Sequence, residues 1–217
     1  MSAQKYAKFS IFALAGVALA VGLWLGWKMS ATPPPRPPEI SGVLFTEPRP
    51  IAPFTLIDQH SAPFTLDRLK GKWSFLFFGY THCPDVCPTT LSLLNAAYKQ
   101  LAQAPQDRDN VHVVFVTVDP QRDTPQQLAQ YVGYFNKNFI GLTSRDPAQI
   151  LTLTRPLGIL SMKVANPSGG GYLVDHSAVI LLVDPGARVR AMFSPPYTAQ
   201  AIAADFRKIR QYYGTPQ

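Results

Sequence analysis

One stretch of this chain joins an apolar segment directly to the only two cysteines in the sequence. Residues Trp73–Phe78 lack the polar alternation of a half-buried strand, and such a run is typical of a central strand covered on both faces. Cys83 and Cys87 follow shortly afterwards. The sequence therefore predicts a buried strand whose end presents two sulfur atoms.

The prolines around the cysteines predict how the next helix starts. Pro88 fits the first helical position, because its missing N–H would have no partner there. Inside a continuing helix its ring would clash with the carbonyl group of Pro84. We therefore expect the helix to begin at Pro88, with residues 84–86 in a turn. Both sulfurs would then face the positive end of this helix, which favours thiolates.

The residues alone leave three interpretations of the cysteine pair open. A structural disulfide is common in exported domains, but here it would close a loop of few residues and contribute little. A redox dithiol fits the predicted helix terminus. A metal site is the third interpretation, and copper is the natural candidate because thiolate selects Cu(I) and imidazole suits copper.

A metal site would need a further ligand from the four histidines. His60 lies in a predicted hairpin turn and His112 begins a predicted strand, so both are more typical of surface or sheet residues. His82 adjoins Cys83, but neighbouring side chains of an extended segment point in opposite directions. His176 leads into a strand and follows a glycine-rich loop, from which it could approach a metal. These patterns favour His176 and keep His82 as the alternative.

The remaining patterns alternate between strands and helices. They predict a hairpin, β-α-β-α, a second hairpin and a closing helix; the segments are 53–57, 63–66, 111–118, 125–136, a helix from 147, 178–183, 188–193 and 198–213. This order predicts an α/β thioredoxin-like fold, in which helices flank a central mixed sheet that carries an N-terminal hairpin.

The N-terminal segment predicts a membrane anchor. Residues 9–27 carry no charge, and Lys5 and Lys8 precede them, so we expect one transmembrane helix with a cytoplasmic N-terminus. The predicted organisation is an anchor region (1–30), a proline-rich linker (31–50) and a thioredoxin-like domain (51–217). The protein would then be a single-pass protein of the inner membrane, with its C-terminal domain on the extracytoplasmic side.

The net charge does not indicate a nucleic-acid partner. The formal net charge is +7, but four of the 20 basic residues precede Pro37 and the others are scattered. Proteins that bind nucleic acids usually cluster basic residues on one face. We therefore expect no nucleic-acid partner.

Three motifs occur in order along the chain: Phe78–Pro88, Val118–Pro125, and Val174–Ser177 followed by Leu182–Pro185. Together they resemble the Sco/SenC family of copper-binding proteins that assist assembly of cytochrome c oxidase. The resemblance implies that Cys83, Cys87 and His176 bind one copper ion, as Cu(I) or Cu(II), and that His82 is not a ligand.

The same resemblance implies the partners of such a domain. The recipient would be the CuA site of cytochrome c oxidase subunit II, with another copper chaperone as a possible donor. Some members of the family work instead as thiol-disulfide oxidoreductases, which reduce the cysteines of the oxidase copper site. In that role Cys83 and Cys87 would form the redox dithiol.

Three acidic residues have open roles at this stage. Asp119 and Asp123 flank a predicted turn after a strand, where aspartate is favoured for structural reasons. Either could instead lie near the copper pocket. Asp175 could orient the ring of His176 as a hydrogen-bond partner.

Overall fold

The computed structural model describes residues 14, 16–27, 36–104, 110–167 and 169–214. It separates into two compact units, Met1–Arg36 and Pro37–Gln217. The second unit contains the predicted alternation of strands and helices.

The first unit contains helix α1, of which residues 14 and 16–27 are described. Across the described part of the chain, no helix combines the length and the apolar character that a membrane crossing requires. The predicted transmembrane helix is therefore wrong, because an uncharged composition does not by itself set helix length. Residues 9–13 and 15 of the predicted span lie outside the described residues.

Eight strands of the second unit form one mixed sheet, and two more form a separate ribbon. The strands are β1 (Val43–Pro50), β2 (Thr55–Asp58), β3 (Pro63–Thr65), β4 (Trp73–Gly79), β5 (Val111–Thr117), β6 (Ile140–Thr143), β7 (Ser161–Ala165), β8 (Tyr172–His176), β9 (Ile180–Val183) and β10 (Arg188–Phe193). The order in the main sheet is β1-β10-β9-β4-β5-β6-β2-β3, and β7 pairs with β8. β4, β5 and β6 are parallel, and the other pairs are antiparallel.

Helices cover both faces of the main sheet. They are α2 (Val86–Leu101), α3 (Pro125–Phe135), α4 (Pro147–Thr154) and α5 (Ala199–Tyr213), with a 3-10 turn at Leu66–Leu69. Phe75 and Phe77 of β4 pack towards α2, α3 and α5, whereas Leu76 and Phe78 pack towards α4 and the first hairpin. All seven residues of β4 are buried. The predicted central strand and the mixed α/β fold of thioredoxin type are therefore confirmed.

Strand β1 lies within the segment predicted to be a linker. Val43–Pro50 pairs with β10 at the edge of the sheet, and the compact unit begins at Pro37, so the predicted linker of residues 31–50 extends too far. All eight β1 residues are exposed or only partly buried, so this strand has no clear apolar pattern. Its two prolines are compatible with an edge strand.

Candidate metal centre

The cysteines lie in the loop and first helical turn between β4 and α2. The helix begins at Val86 with Asp85 as its N-cap residue, two residues before the predicted start at Pro88. Pro88 is accommodated at the third helical position because the first amides of a helix have no acceptor within it. The carbonyl group of Pro84, with which a clash was expected, lies outside the helix.

The sulfur of Cys83 partly replaces a conventional helix cap. The Asp85 side chain makes no capping hydrogen bond, whereas the backbone amide of Cys87 donates to Cys83 Sγ at 3.4 Å. Cys83 is partly buried, Cys87 is fully buried and both thiols are free. A negative charge on Cys83 is favoured at this position by the helix dipole.

Electrostatics distinguish the two thiols. A hydrogen bond from the Cys87 thiol lowers the pKa of Cys83 to about 4, against the opposing effect of burial; His176 and the backbone amides of Asp85 and Cys87 assist. The same hydrogen bond to Cys83, together with burial, raises the pKa of Cys87. Of the two thiols in the metal-free pair, Cys83 is therefore the more acidic, and Cys87 holds its proton more strongly.

His176 approaches the cysteines from the β7–β8 ribbon. It is the last residue of β8, and its ring packs edge-on against the buried rings of Phe77 and Tyr80. Its Nε2 lies 3.3 Å from Cys87 Sγ, and its Nδ1 lies 3.3 Å from the carbonyl oxygen of Ser177. A proton on Nδ1 donated to that carbonyl would leave Nε2 free to bind a metal.

The ligand atoms of Cys83, Cys87 and His176 all lie within 4.8 Å of one another. Metal–ligand bonds of about 2.0–2.3 Å in a planar three-coordinate site would separate ligand atoms by roughly 4 Å. The observed group therefore needs only small adjustments to hold one ion. It borders a cavity of about 270 Å³, so an ion there would be reachable from solvent.

The other histidines do not join this group. His82 is exposed; its Nδ1 contacts Thr81 Oγ1 at 3.0 Å and lies 3.8 Å from Asp123 Oδ1. His60 lies exposed in the turn of the first hairpin, and His112 lies on β5. Within residues 36–104, 110–167 and 169–214, only Cys83, Cys87 and His176 form a group of three possible ligands.

Asp123 holds the start of the cysteine loop by hydrogen bonds. It is fully buried and accepts hydrogen bonds from the Thr81 amide at 3.0 Å and the Thr81 hydroxyl at 2.6 Å. It also accepts one from the Thr117 hydroxyl at 2.5 Å. Asp123 thus ties the start of the loop to the end of β5 and contributes no ligand atom to the group.

Asp119 contacts the ribbon that carries His176 through Arg122 and Tyr172, for which no sequence pattern predicted a role. It is buried, pairs with Arg122 and accepts a hydrogen bond from the Tyr172 hydroxyl at 2.9 Å. Asp175 is exposed, and the acceptor beside His176 Nδ1 is the Ser177 carbonyl instead. Arg122 lies in one of the quoted motifs, but nothing in the sequence indicates its long-range contact with Tyr172.

Comparisons with known proteins are consistent across the second unit. The sequence model of the SCO1/SenC family matches residues 46–211. A Stutzerimonas stutzeri protein with the provisional name copper-binding protein is 41% identical over 154 residues, which cover 71% of this chain and 74% of that protein.

Two solved structures with copper bound are similar to this chain. Arabidopsis thaliana ScoI is 36% identical with a TM-score of 0.70, over 75% of this chain and 99% of that one. Bradyrhizobium japonicum ScoI is 37% identical with a TM-score of 0.66, over 74% of this chain and 99% of that one. The family match and these relatives show that the chain belongs to the SCO1/SenC family.

Proposed function

We propose that this protein is a copper carrier that binds one copper ion through Cys83, Cys87 and His176. The observation that carries the proposal is the convergence of these three ligand atoms within 4.8 Å. Two relatives of similar fold have been solved with copper bound, which supports copper as the ion.

The chemistry of the three ligands suits both oxidation states of copper. Two thiolates provide the soft ligands that Cu(I) prefers, and the imidazole adds a ligand acceptable to Cu(II). Binding requires loss of the Cys87 proton, because thiolates are the metal-binding form. Partial exposure of Cys83 allows an incoming ligand to reach the ion, as release to a recipient requires.

We include the recipient and the compartment in this proposal. By its membership of the family, the domain would deliver copper to the CuA site of cytochrome c oxidase subunit II, or prepare that site. The domain would work on the extracytoplasmic side, which the CuA site faces, and would receive copper from another chaperone. A physical complex between the copper-loaded domain and subunit II is the test of this finer statement.

Copper titration tests the central proposal. The reduced protein should bind about one Cu(I) and one Cu(II) per chain in separate titrations. His176→Ala should abolish Cu(II) binding and retain thiols that react with alkylating agents, whereas His60→Ala, at an exposed turn, should bind both ions like the parent protein. Failure of the parent protein to bind either ion would contradict the proposal.

A second candidate function is the reduction of a disulfide in the recipient. The favouring observation is that Cys83 is a partly exposed thiol of low pKa beside a buried thiol, Cys87. The Cys83 thiolate would attack one target sulfur, form a mixed disulfide and release the other target thiolate. Cys87 would lose its proton and attack Cys83 Sγ, releasing the second target thiolate and leaving the Cys83–Cys87 disulfide.

Metal-free protein separates the two candidates. As a reductant, it should reduce a peptide disulfide that mimics the two recipient cysteines, and His176→Ala should retain this activity. Cys83→Ser should eliminate it. No reduction by the metal-free protein would contradict the second candidate and leave copper transfer as the function.

A further inference from the structure

His176 belongs to a ribbon that is not part of the main sheet. β7 and β8 pair with each other, and in the described residues neither pairs with a strand of the eight-stranded sheet. Besides the short connection from His176 to β9, which begins at Ile180, side-chain contacts between the ribbon and the rest of the domain help to set the position of His176 relative to the cysteines. Tyr172, at the opposite end of β8 from His176, makes several of these contacts.

Tyr172, Asp119 and Arg122 form a closed group, which we call the clasp. The Tyr172 hydroxyl donates to Asp119 Oδ1 at 2.9 Å, and Arg122 Nη1 donates to the Tyr172 carbonyl oxygen at 3.0 Å. Arg122 also pairs with Asp119, and its guanidinium carbon lies 3.9 Å from the centre of the Tyr172 ring. The clasp thus holds both the side chain and the backbone of Tyr172.

The clasp shares a buried network with the cysteine loop. The backbone amide of Asp119 donates to Thr117 Oγ1 at 2.9 Å, and the Thr117 hydroxyl donates to Asp123. Asp123 in turn accepts from the amide and hydroxyl of Thr81, two residues before Cys83. One network at the end of β5 therefore anchors the ribbon with His176 and the loop with the cysteines.

Arg122 also contacts the wall of the metal site. Its guanidinium carbon lies 5.6 Å from the centre of the Tyr80 ring, and the Tyr80 ring packs edge-on against His176 at 5.9 Å. Outside the clasp, Lys163 of β7 donates to Gln121 at 2.6 Å. These contacts attach the ribbon to the segment that follows β5.

We propose that Tyr172, Arg122 and Asp119 are positioning residues that hold His176 against the cysteine pair and so determine how strongly Cu(II) is retained. This inference rests on the proposed copper-binding function. Two thiolates can hold Cu(I) without the imidazole, whereas Cu(II) depends on the nitrogen ligand. Loosening of the clasp therefore weakens Cu(II) binding selectively and leaves Cu(I) bound for transfer.

Tyr172→Phe tests the clasp with the smallest available change. It removes the hydroxyl that donates to Asp119, and so eliminates a hydrogen bond to a charged group. We therefore expect about tenfold weaker Cu(II) binding. Cu(I) binding should stay within about twofold of the parent protein. The sulfur-to-Cu(II) charge-transfer band should shift or weaken. Tyr134→Phe is the matched control, because Tyr134 is 86% exposed, and it should behave like the parent protein.

A metal-free measurement completes the experiment. In metal-free protein, Tyr172→Phe should raise hydrogen exchange of the β8 amides about tenfold while exchange in β5 is unchanged. Arg122→Lys keeps the positive charge but loses the planar guanidinium group, which can donate several hydrogen bonds at once. It should therefore change Cu(II) binding and β8 exchange in the same way as Tyr172→Phe.

The outcomes separate the clasp from the copper proposal. Unchanged Cu(II) binding and unchanged β8 exchange in Tyr172→Phe would overturn the clasp, as would equal losses of Cu(I) and Cu(II). If the parent protein binds no copper, the proposed function fails, and the exchange measurement alone then decides whether the clasp holds the ribbon.

Discussion

Cys87 Sγ lies 3.3 Å from His176 Nε2, although 89 positions separate the two residues in the chain. Cys87 belongs to the first turn of α2 and His176 to the end of β8. The Cys83–Cys87 half of the site forms locally, since the two cysteines are four positions apart in the chain. The imidazole of His176 lies near the cysteines only when the β7–β8 ribbon packs against the rest of the domain. The complete ligand set is therefore a property of the folded domain.

Gly79 leaves space for the Cys87 sulfur. A Cβ at this position would lie 2.6 Å from Cys87 Sγ and 2.8 Å from a ring carbon of Phe115. We expect Gly79→Ala to displace the thiol, lower the free energy of unfolding by about 1–3 kcal/mol and weaken copper binding at least about tenfold. Urea unfolding and copper titration measure the two effects.

Gly133→Ala is the control for this substitution. Gly133 lies in α3, and a Cβ there would meet nothing within 4 Å, so alanine should stabilise the helix by about 0.5–1 kcal/mol. Copper binding should not change. If Gly79→Ala bound copper as tightly as Gly133→Ala, the close approach of Gly79 to Cys87 would have no role in the site.

The reactivity of Cys83 should depend on pH as expected for a thiol whose pKa is about 4. Since the thiolate is the nucleophile, the alkylation rate of metal-free protein should stay near its maximum from pH 8 down to about pH 5 and then fall. Mass spectrometry after iodoacetamide pulses should find the label on Cys83, with Cys87 protected by burial. A rate that rises about tenfold per unit between pH 5 and pH 8 would show an ordinary thiol instead.

Asp123 should be important for stability and for the shape of the cysteine loop. Asp123→Ala leaves the Thr81 amide and the Thr81 and Thr117 hydroxyls without their acceptor, so we expect a loss of about 3 kcal/mol in unfolding free energy. Asp123→Asn should lose less, because it keeps one acceptor oxygen. Asp67→Ala, at an exposed surface ion pair, should change stability by less than about 0.5 kcal/mol; an equal effect of the two alanine variants would contradict the assignment.

His112 should make stability fall on mild acidification. Burial, followed by the charges of Lys72 and Arg68, lowers its pKa from 6.5 to about 4, and its Nδ1 has no hydrogen-bond partner in the described structure. Below about pH 6.5 His112 becomes protonated in the unfolded chain, whereas in the folded protein it stays neutral until about pH 4. Its contribution to stability is therefore fully present above pH 6.5 and is lost as the pH falls from 6.5 to 4. Partial exposure limits the loss to about 1–2 kcal/mol.

Comparison of pH profiles measures this contribution. The unfolding free energy of His112→Gln, which cannot titrate, should fall by about 1–2 kcal/mol less than that of the parent protein between pH 7 and pH 4.5. Parallel profiles for the two proteins would rule out His112 as the source.

Features encoded by adjacent residues were predictable from the sequence. The unbroken apolar run correctly predicted β4 as a buried central strand. A capping box at the start of α3 is a local signal of the same kind: Thr124 Oγ1 accepts from the Gln127 amide, and Gln127 Oε1 accepts from the Thr124 amide. Both signals depend only on residues that are close together in the chain, so they can be recognised in the sequence.

Features that depend on distant contacts were not predictable in the same way. Edge strand β1 has no fully buried residue, so its pairing with β10 leaves no periodic pattern in the sequence. The start of α2 at Val86 reflects a cap provided by Cys83 Sγ, which no general capping preference describes. The contact of Tyr172 with Asp119 joins residues 53 positions apart, and neither neighbourhood in the sequence indicates it.

X-ray absorption spectroscopy of the copper-loaded protein tests the central claim most directly. The account predicts that Cu(I) has two sulfur ligands and one imidazole nitrogen, supplied by Cys83, Cys87 and His176. In His176→Ala the nitrogen contribution should disappear and both sulfur ligands should remain. An imidazole signal that persists in His176→Ala and disappears in His82→Ala, or a first shell without sulfur, would contradict the assignment of this site.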